Sequence, residues 1–166
     1  MKIVSGILDG TYFKRVPWVL GKDYARLIVH DQRRACYVRM FDSLQGLNPE
    51  VYFVPGKKGY LLLARDKDSK AAAPAWSKRI AVRARTMVLA GERLVLAGPP
   101  DEIDPADPLG SFEGRRGGLL HVYDSTSGER LAEVKLHSPP VLHGAALAGG
   151  RLVLVLEDGS IVCRGR

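Results

Sequence analysis

The stretch "LAGERLVLAG" at residues 89–98 returns as "LAGGRLVLVL" at 147–156, fifty-eight residues later and identical at seven of ten positions. In the second copy Leu152, Leu154 and Leu156 point to one face of an extended chain, and Val153 and Val155 to the other, because strand side chains alternate. Both faces are apolar. A strand with one wet face would alternate apolar with polar, so the pattern predicts strands covered on both sides. "RLVLAG" at 93–98, "RLIVHD" at 26–31 and "YLLLARD" at 60–66 read the same way. Burial of one Leu or Val contributes about 1.5–3 kcal/mol, so four such runs cannot stay half exposed in a marginally stable domain.

Doubly covered strands occur in parallel sheets flanked by helices or in antiparallel sheets stacked face to face. The first arrangement needs amphipathic helices, and the best candidate, "KDSKAAAPAWSKR", has a proline at its centre and no apolar stripe. The connections carry turn chemistry instead. Asp158-Gly159 is the strongest hairpin signal and suits a type I′ turn, while "LAGER", "LAGGR" and Gly128 mark further reversals. Eighteen glycines and ten prolines in 166 residues fit many short strands. The expected class is all-β, with antiparallel, stacked sheets.

The period of fifty-eight includes the loop "GPPDEIDPADPLGSFEGRRGG", which holds four prolines and no strand pattern. Without part of it, about 40–45 residues remain per unit, the size of a four-stranded β-propeller blade. The chain then reads as one domain over 1–166 with about three or four blades, and with loop insertions at 67–80 and 99–116.

The stretch "GLLHVYDSTSGERLAEVKLHSPPVLHGAALAGGRLVLVLEDGSIVCRG" resembles the repeat of the quinoprotein-type (PQQ-like) β-propellers. There a strand ending in Asp leads into a Thr-Gly or Ser-Gly turn, then a strand that usually holds Trp, then an apolar strand and a "DG" hairpin. Asp124, Ser127-Gly128 and Asp158-Gly159 match; Leu131 and its neighbours stand where the Trp usually does. Upstream, "ILDGTYFKRVPWVLG" and "VYFVPGKKGYLLLARD" are similar to the C-terminal region of long bacterial proteins of this group. The resemblance covers most of the chain and is strongest over 81–165. It implies a fold rather than an activity, since most members bind no quinone. It also implies that the chain is the C-terminal part of a longer propeller. "MKIVSGILDGTYFKR" reads as neither signal peptide nor membrane span. That leaves a cytoplasmic location if the chain is complete, and a periplasmic or cell-envelope one if an exported front is missing.

Each chemical candidate has a plainer structural reading. Asp101, Glu102, Asp104 and Asp107 form an acidic loop that could attract calcium, but the spacing and turn glycine of a calcium loop are absent, and a solvated loop is expected. His30, His121, His137 and His143 lack metal-ligand spacing; His121 and His143 are expected on strands with hydrogen-bond partners. The glycines and Arg115-Arg116 of "EGRRGG" read as a flexible turn rather than an anion nest. Cys36 and Cys163 read as small buried hydrophobes, with a single bridge between them left open. A quinone site would use adjacent cysteines, and there are none. Trp18 and Trp76 are expected to pack between blades.

The net charge of +7 comes in scattered pairs, Lys14-Arg15, Arg33-Arg34, Lys57-Lys58, Lys78-Arg79 and Arg115-Arg116, with no basic helix and no RNA-binding aromatic signature. Specific nucleic-acid binding is not expected; the basic residues guard strand edges. The reading is a non-catalytic module with no catalytic, metal-binding or cofactor residues, which binds a protein or other macromolecule, self-associates, or docks on the remainder of a longer propeller. The alternative is a fragment of a quinoprotein-type oxidoreductase whose catalytic residues lie elsewhere.

Overall fold

Alternating apolar residues and tight turns with no intervening helical pattern leave the chain one economical course, a strand that reverses onto its predecessor. The computed structural model describes residues 18–20, 23–39, 60–69, 71 and 73–165, and every element among them is a β-strand. A ribbon of β1 (Trp18–Leu20) and β2 (Asp23–Ala25) comes first. The first sheet holds β3 (Leu27–His30), β4 (Arg34–Arg39), β5 (Tyr60–Asp66) and β6 (Trp76–Ile80). The second holds β7 (Thr86–Ala90), β8 (Arg93–Gly98), β9 (Gly118–Asp124) and β10 (Arg130–Leu136). The third holds β11 (Pro140–Ala148), β12 (Arg151–Leu156) and β13 (Ile161–Arg164). In each sheet the strands pair antiparallel in chain order, and the opening strand β7 lies against both β3 and β11. The protein is all-β; among the described residues the sheets do not close into a ring.

The repeat is the same hairpin built twice. Leu89 pairs with Leu94 and Val88 with Val95 in the second sheet; Leu147 pairs with Leu152 and Ala146 with Val153 in the third. The period of fifty-eight is thus kept residue for residue in the register. Gly91 in the first copy of the turn takes φ +55°, a left-handed conformation that glycine adopts without steric penalty.

Two apolar layers hold the sheets together. Between the first and second sheets lie Cys36, Val38, Leu62, Ile80, Met87, Leu94, Leu96 and Tyr123. Between the second and third lie Val95, Ala97, Leu120, Leu136, Leu152, Leu154 and Leu156. Ala25, Tyr37 and Leu63 cover the far side of the first sheet. The second sheet is therefore covered on both faces, as the "RLVLAG" pattern predicts. In β5, Leu62 and Leu63 are likewise buried on opposite faces.

Several expectations need correction. β12 is covered on one face only: Leu154 and Leu156 are buried, Val153 is half-buried and Val155 is 38% exposed, because the third sheet has no described neighbour beyond it. In "RLIVHD", Ile28 and Val29 are only half-buried. The segment 67–80 is not all loop, since Trp76–Ile80 forms the outer strand β6, whose Ser77, Lys78 and Arg79 are exposed. The Asp158-Gly159 hairpin forms, but Asp158 does not take positive φ. Gly159 alone does, at +84°, while the Asp158 carboxylate accepts the Ser160 N–H. Cys163 is exposed and both cysteines are free thiols; Cys36 is buried, which pushes its thiol up to about 12. Lys14-Arg15 and Lys57-Lys58 lie outside the described residues, and so does the packing expected of the Trp18 side chain.

Candidate functional site

The acidic loop comes apart into separate ion pairs. Asp101 folds inward beside Arg83, Oδ1 to Nε 3.1 Å, with side chains 4% and 7% exposed. Burial raises the Asp101 carboxyl above its usual range even against the attraction of Arg83. Asp104 accepts the Ala106 N–H and pairs with Arg116, and both contacts hold its carboxyl low. Asp107 pairs with Arg115 at 2.5 Å, and Arg115 also contacts Glu113. The "EGRRGG" arginines thus pair with Asp104, Asp107 and Glu113 of the same loop. Among the described residues no three His, Cys, Asp or Glu side chains gather at metal-binding distance. The loop over 99–116 lies outside the named strands, as expected, yet it is anchored rather than loose: the Ser111 hydroxyl donates to the Pro100 carbonyl and Arg85 to the Phe112 carbonyl.

The histidines scatter. His30 is exposed near Lys67, and His137 lies 2.7 Å from Asp158 on the surface. His143 sits at an irregularity of β11 with φ +58°, exposed, its backbone N–H donating to the Arg85 carbonyl. It thus lies on a strand, as expected, though at an irregular point of it. His121 alone is buried, on β9 beside Tyr123 and opposite Glu133 on β10.

Trp76 joins the first two sheets. Its indole N–H donates to the Ser125 carbonyl at 2.9 Å, and the Arg34 guanidinium donates to the same carbonyl while pairing with Asp66. Ser125 belongs to the turn in which the Asp124 carboxylate accepts the Thr126 and Ser127 N–H groups. Gly128 closes that turn against the indole: a Cβ there would meet Trp76 Cδ2 at 2.7 Å. The first sheet therefore carries its own Asp-turn-Trp segment, Asp66 to Trp76. The inserted "KDSKAAAPA" hides it in the sequence.

What remains is the outer face of the third sheet. By pairing and alternation it carries Ala146, Val153, Val155, Ile161 and Cys163, with Arg151 at the start of β12 on the same side. Val155 is 38% and Ile161 68% exposed. In the second sheet the matching positions are Val88, Val95, Ala97, Leu120 and Val122, and the last four lie in the apolar layer shared with the third sheet. Among the described residues the β13 edge also lacks the fourth strand that the other two sheets possess. No family model matches the chain, and no curated protein matches it.

Proposed function

We infer that the chain is a non-catalytic binding module of the PQQ-like β-propeller type, and that it engages a protein partner through the outer face of its third sheet. The observation that carries this is the apolar Val153–Val155–Ile161 surface, bordered by Arg151 and without a neighbour among the described residues, a copy of a surface that the second sheet buries. Exposed apolar patches of this kind mark interaction sites. Three strands at about 4.8 Å spacing and about six residues in length present roughly 300 Å². A stable interface needs about 800 Å² per partner, so the partner must also use the β13 edge. The Asp124–Gly128 turn, the Trp76 contact and the meandering sheets support the propeller reading. All-β modules of this kind bind through faces and loops rather than through a fixed chemistry.

The test is association. Purified chain should gain mass with concentration in light scattering, and Val155→Glu with Ile161→Glu should abolish the gain while leaving the fold intact. Dye reduction by the chain supplied with calcium and pyrroloquinoline quinone would sink the non-catalytic half of the reading and favour the oxidoreductase fragment.

A further inference from the structure

A different part of the molecule, where the outer strands of the first and second sheets diverge, holds a groove of about 460 Å³. Lys78, Arg79 and Ile80 of β6 form one wall, and His121, Tyr123 and Arg130 of the second sheet form the other. The volume falls within the range of small-molecule sites.

Two side chains here are not what packing calls for. Along β6, Trp76 and Ile80 join the apolar layer between the sheets, and alternation puts Lys78 on their side, at an exposed position on the rim of the layer. Its Nζ lies 5.9 Å from the centre of the Tyr123 ring, a contact that favours a cation but does not neutralise it. Among the described residues no carboxylate lies within ion-pair distance of Lys78. His121 is the second. Counted from the aspartates that end β5 and β9, the matching residue of the first sheet is Leu63; by register, that of the third is Val162. The fold is satisfied by an apolar side chain at both of those places, yet the second sheet buries an imidazole, 2% exposed.

That imidazole is only partly served by its neighbours. Nδ1 is 3.0 Å from the Tyr123 hydroxyl. Nε2 is 3.0 Å from Glu133 Oε2 but out of line for a hydrogen bond, and the same carboxylate oxygen is 2.8 Å from Arg130 Nη1. One carboxylate therefore faces two partners, while Lys78 and Arg130 both border the groove as cations. We propose that this groove binds a small organic anion, its carboxylate or phosphate group held by Lys78 and Arg130 against His121, and its apolar part laid on Ile80 and Tyr123. This site is independent of the third-sheet face.

The experiment is an NMR titration of the full chain with phenyl phosphate, with benzoate, and with benzyl alcohol as the neutral control. Saturable shifts at Lys78, His121 and Tyr123 with either anion, and none with the alcohol, are expected. Which anion saturates first assigns the head group. Lys78→Met should weaken the binding roughly tenfold or more, the scale of a lost hydrogen bond to a charged group. His121→Leu should fold, since both sister sheets carry an apolar residue there, and should also weaken binding. Lys135→Met, outside the groove, should leave it unchanged. No saturable shift, equal shifts with the alcohol, or equal loss in Lys78→Met and Lys135→Met would overturn the proposal.

Discussion

The hairpins β7–β8 and β11–β12 share a sequence and a register, and they differ in what lies outside them. Ala97 is fully buried and Val95 is 6% exposed, whereas their counterparts Val155 and Val153 are 38% exposed and half-buried. The inner faces do not differ: Leu96 and Leu154 are both completely buried. A closely similar run of residues, RLVL in both, therefore makes a core strand in one sheet and a half-wet strand in the next. Burial of the second face is set by the neighbouring sheet and not by the run itself.

The sharpest way to break this comparison is to place a charge on each outer face. Ala97→Asp leaves an unpaired carboxylate inside the second sheet and should destabilise by about 3–5 kcal/mol, enough to unfold a marginal domain. Val155→Asp sits at a wet surface and should stay within about 0.5 kcal/mol. Urea denaturation of the two variants reads the contrast directly, and equal losses would mean that the third sheet is covered in solution. A smaller loss, about 1–3 kcal/mol, is expected for Asp101→Ala, which removes the carboxylate that faces the buried Arg83. Removal of Asp101 to Pro108 should be similarly costly, although prolines and charges alone suggest a dispensable loop.

On the shared inner face, Leu96→Ala and Leu154→Ala should each cost about 2–5 kcal/mol and differ little from one another. Thermal melts that separated them widely would show that the two apolar layers are not equivalent.

These contrasts mark what could be read without a structure. The strands β8, β9 and β12 follow from the alternation of their apolar residues, and the turns at Asp124–Gly128 and Asp158–Gly159 from their side-chain chemistry. β6 is hidden because three of its five residues, Ser77, Lys78 and Arg79, are polar, as suits the outer strand of a sheet. The open face of the third sheet is hidden for a different reason: Val153 and Val155 have the composition of a covered face, and they are wet because no neighbour lies over them among the described residues. Pairings such as Arg83 with Asp101 and Trp76 with Ser125 join residues whose separation passes through irregular loops, where no periodicity carries the register. The His121 site is invisible until the sheets are aligned and its counterparts prove to be Leu63 and Val162.

Smaller effects sharpen the view of the turn that links the first two sheets. Gly128→Ala drives a methyl into the Trp76 ring and forces a left-handed φ of +73° on alanine, so a loss of about 1–3 kcal/mol is expected by calorimetry. Below it in size is the pH dependence of the same turn. The Ser127 and Thr126 N–H groups hold the Asp124 carboxyl below its usual range, and the Ser160 hydroxyl and N–H do the same for Asp158. A depressed folded value means that the stabilisation is present at neutral pH and is lost as pH falls below about 4 through the folded value. Asp124→Ala should flatten that acid limb slightly, seen in urea midpoints measured from neutral to acid pH.

The most direct measurement is light scattering of the purified chain over a wide concentration range, beside the double variant Val155→Glu and Ile161→Glu. An uncovered apolar face predicts a mass that climbs with concentration for the natural chain and stays monomeric for the variant. A single monomeric mass for both, at every concentration, would contradict it.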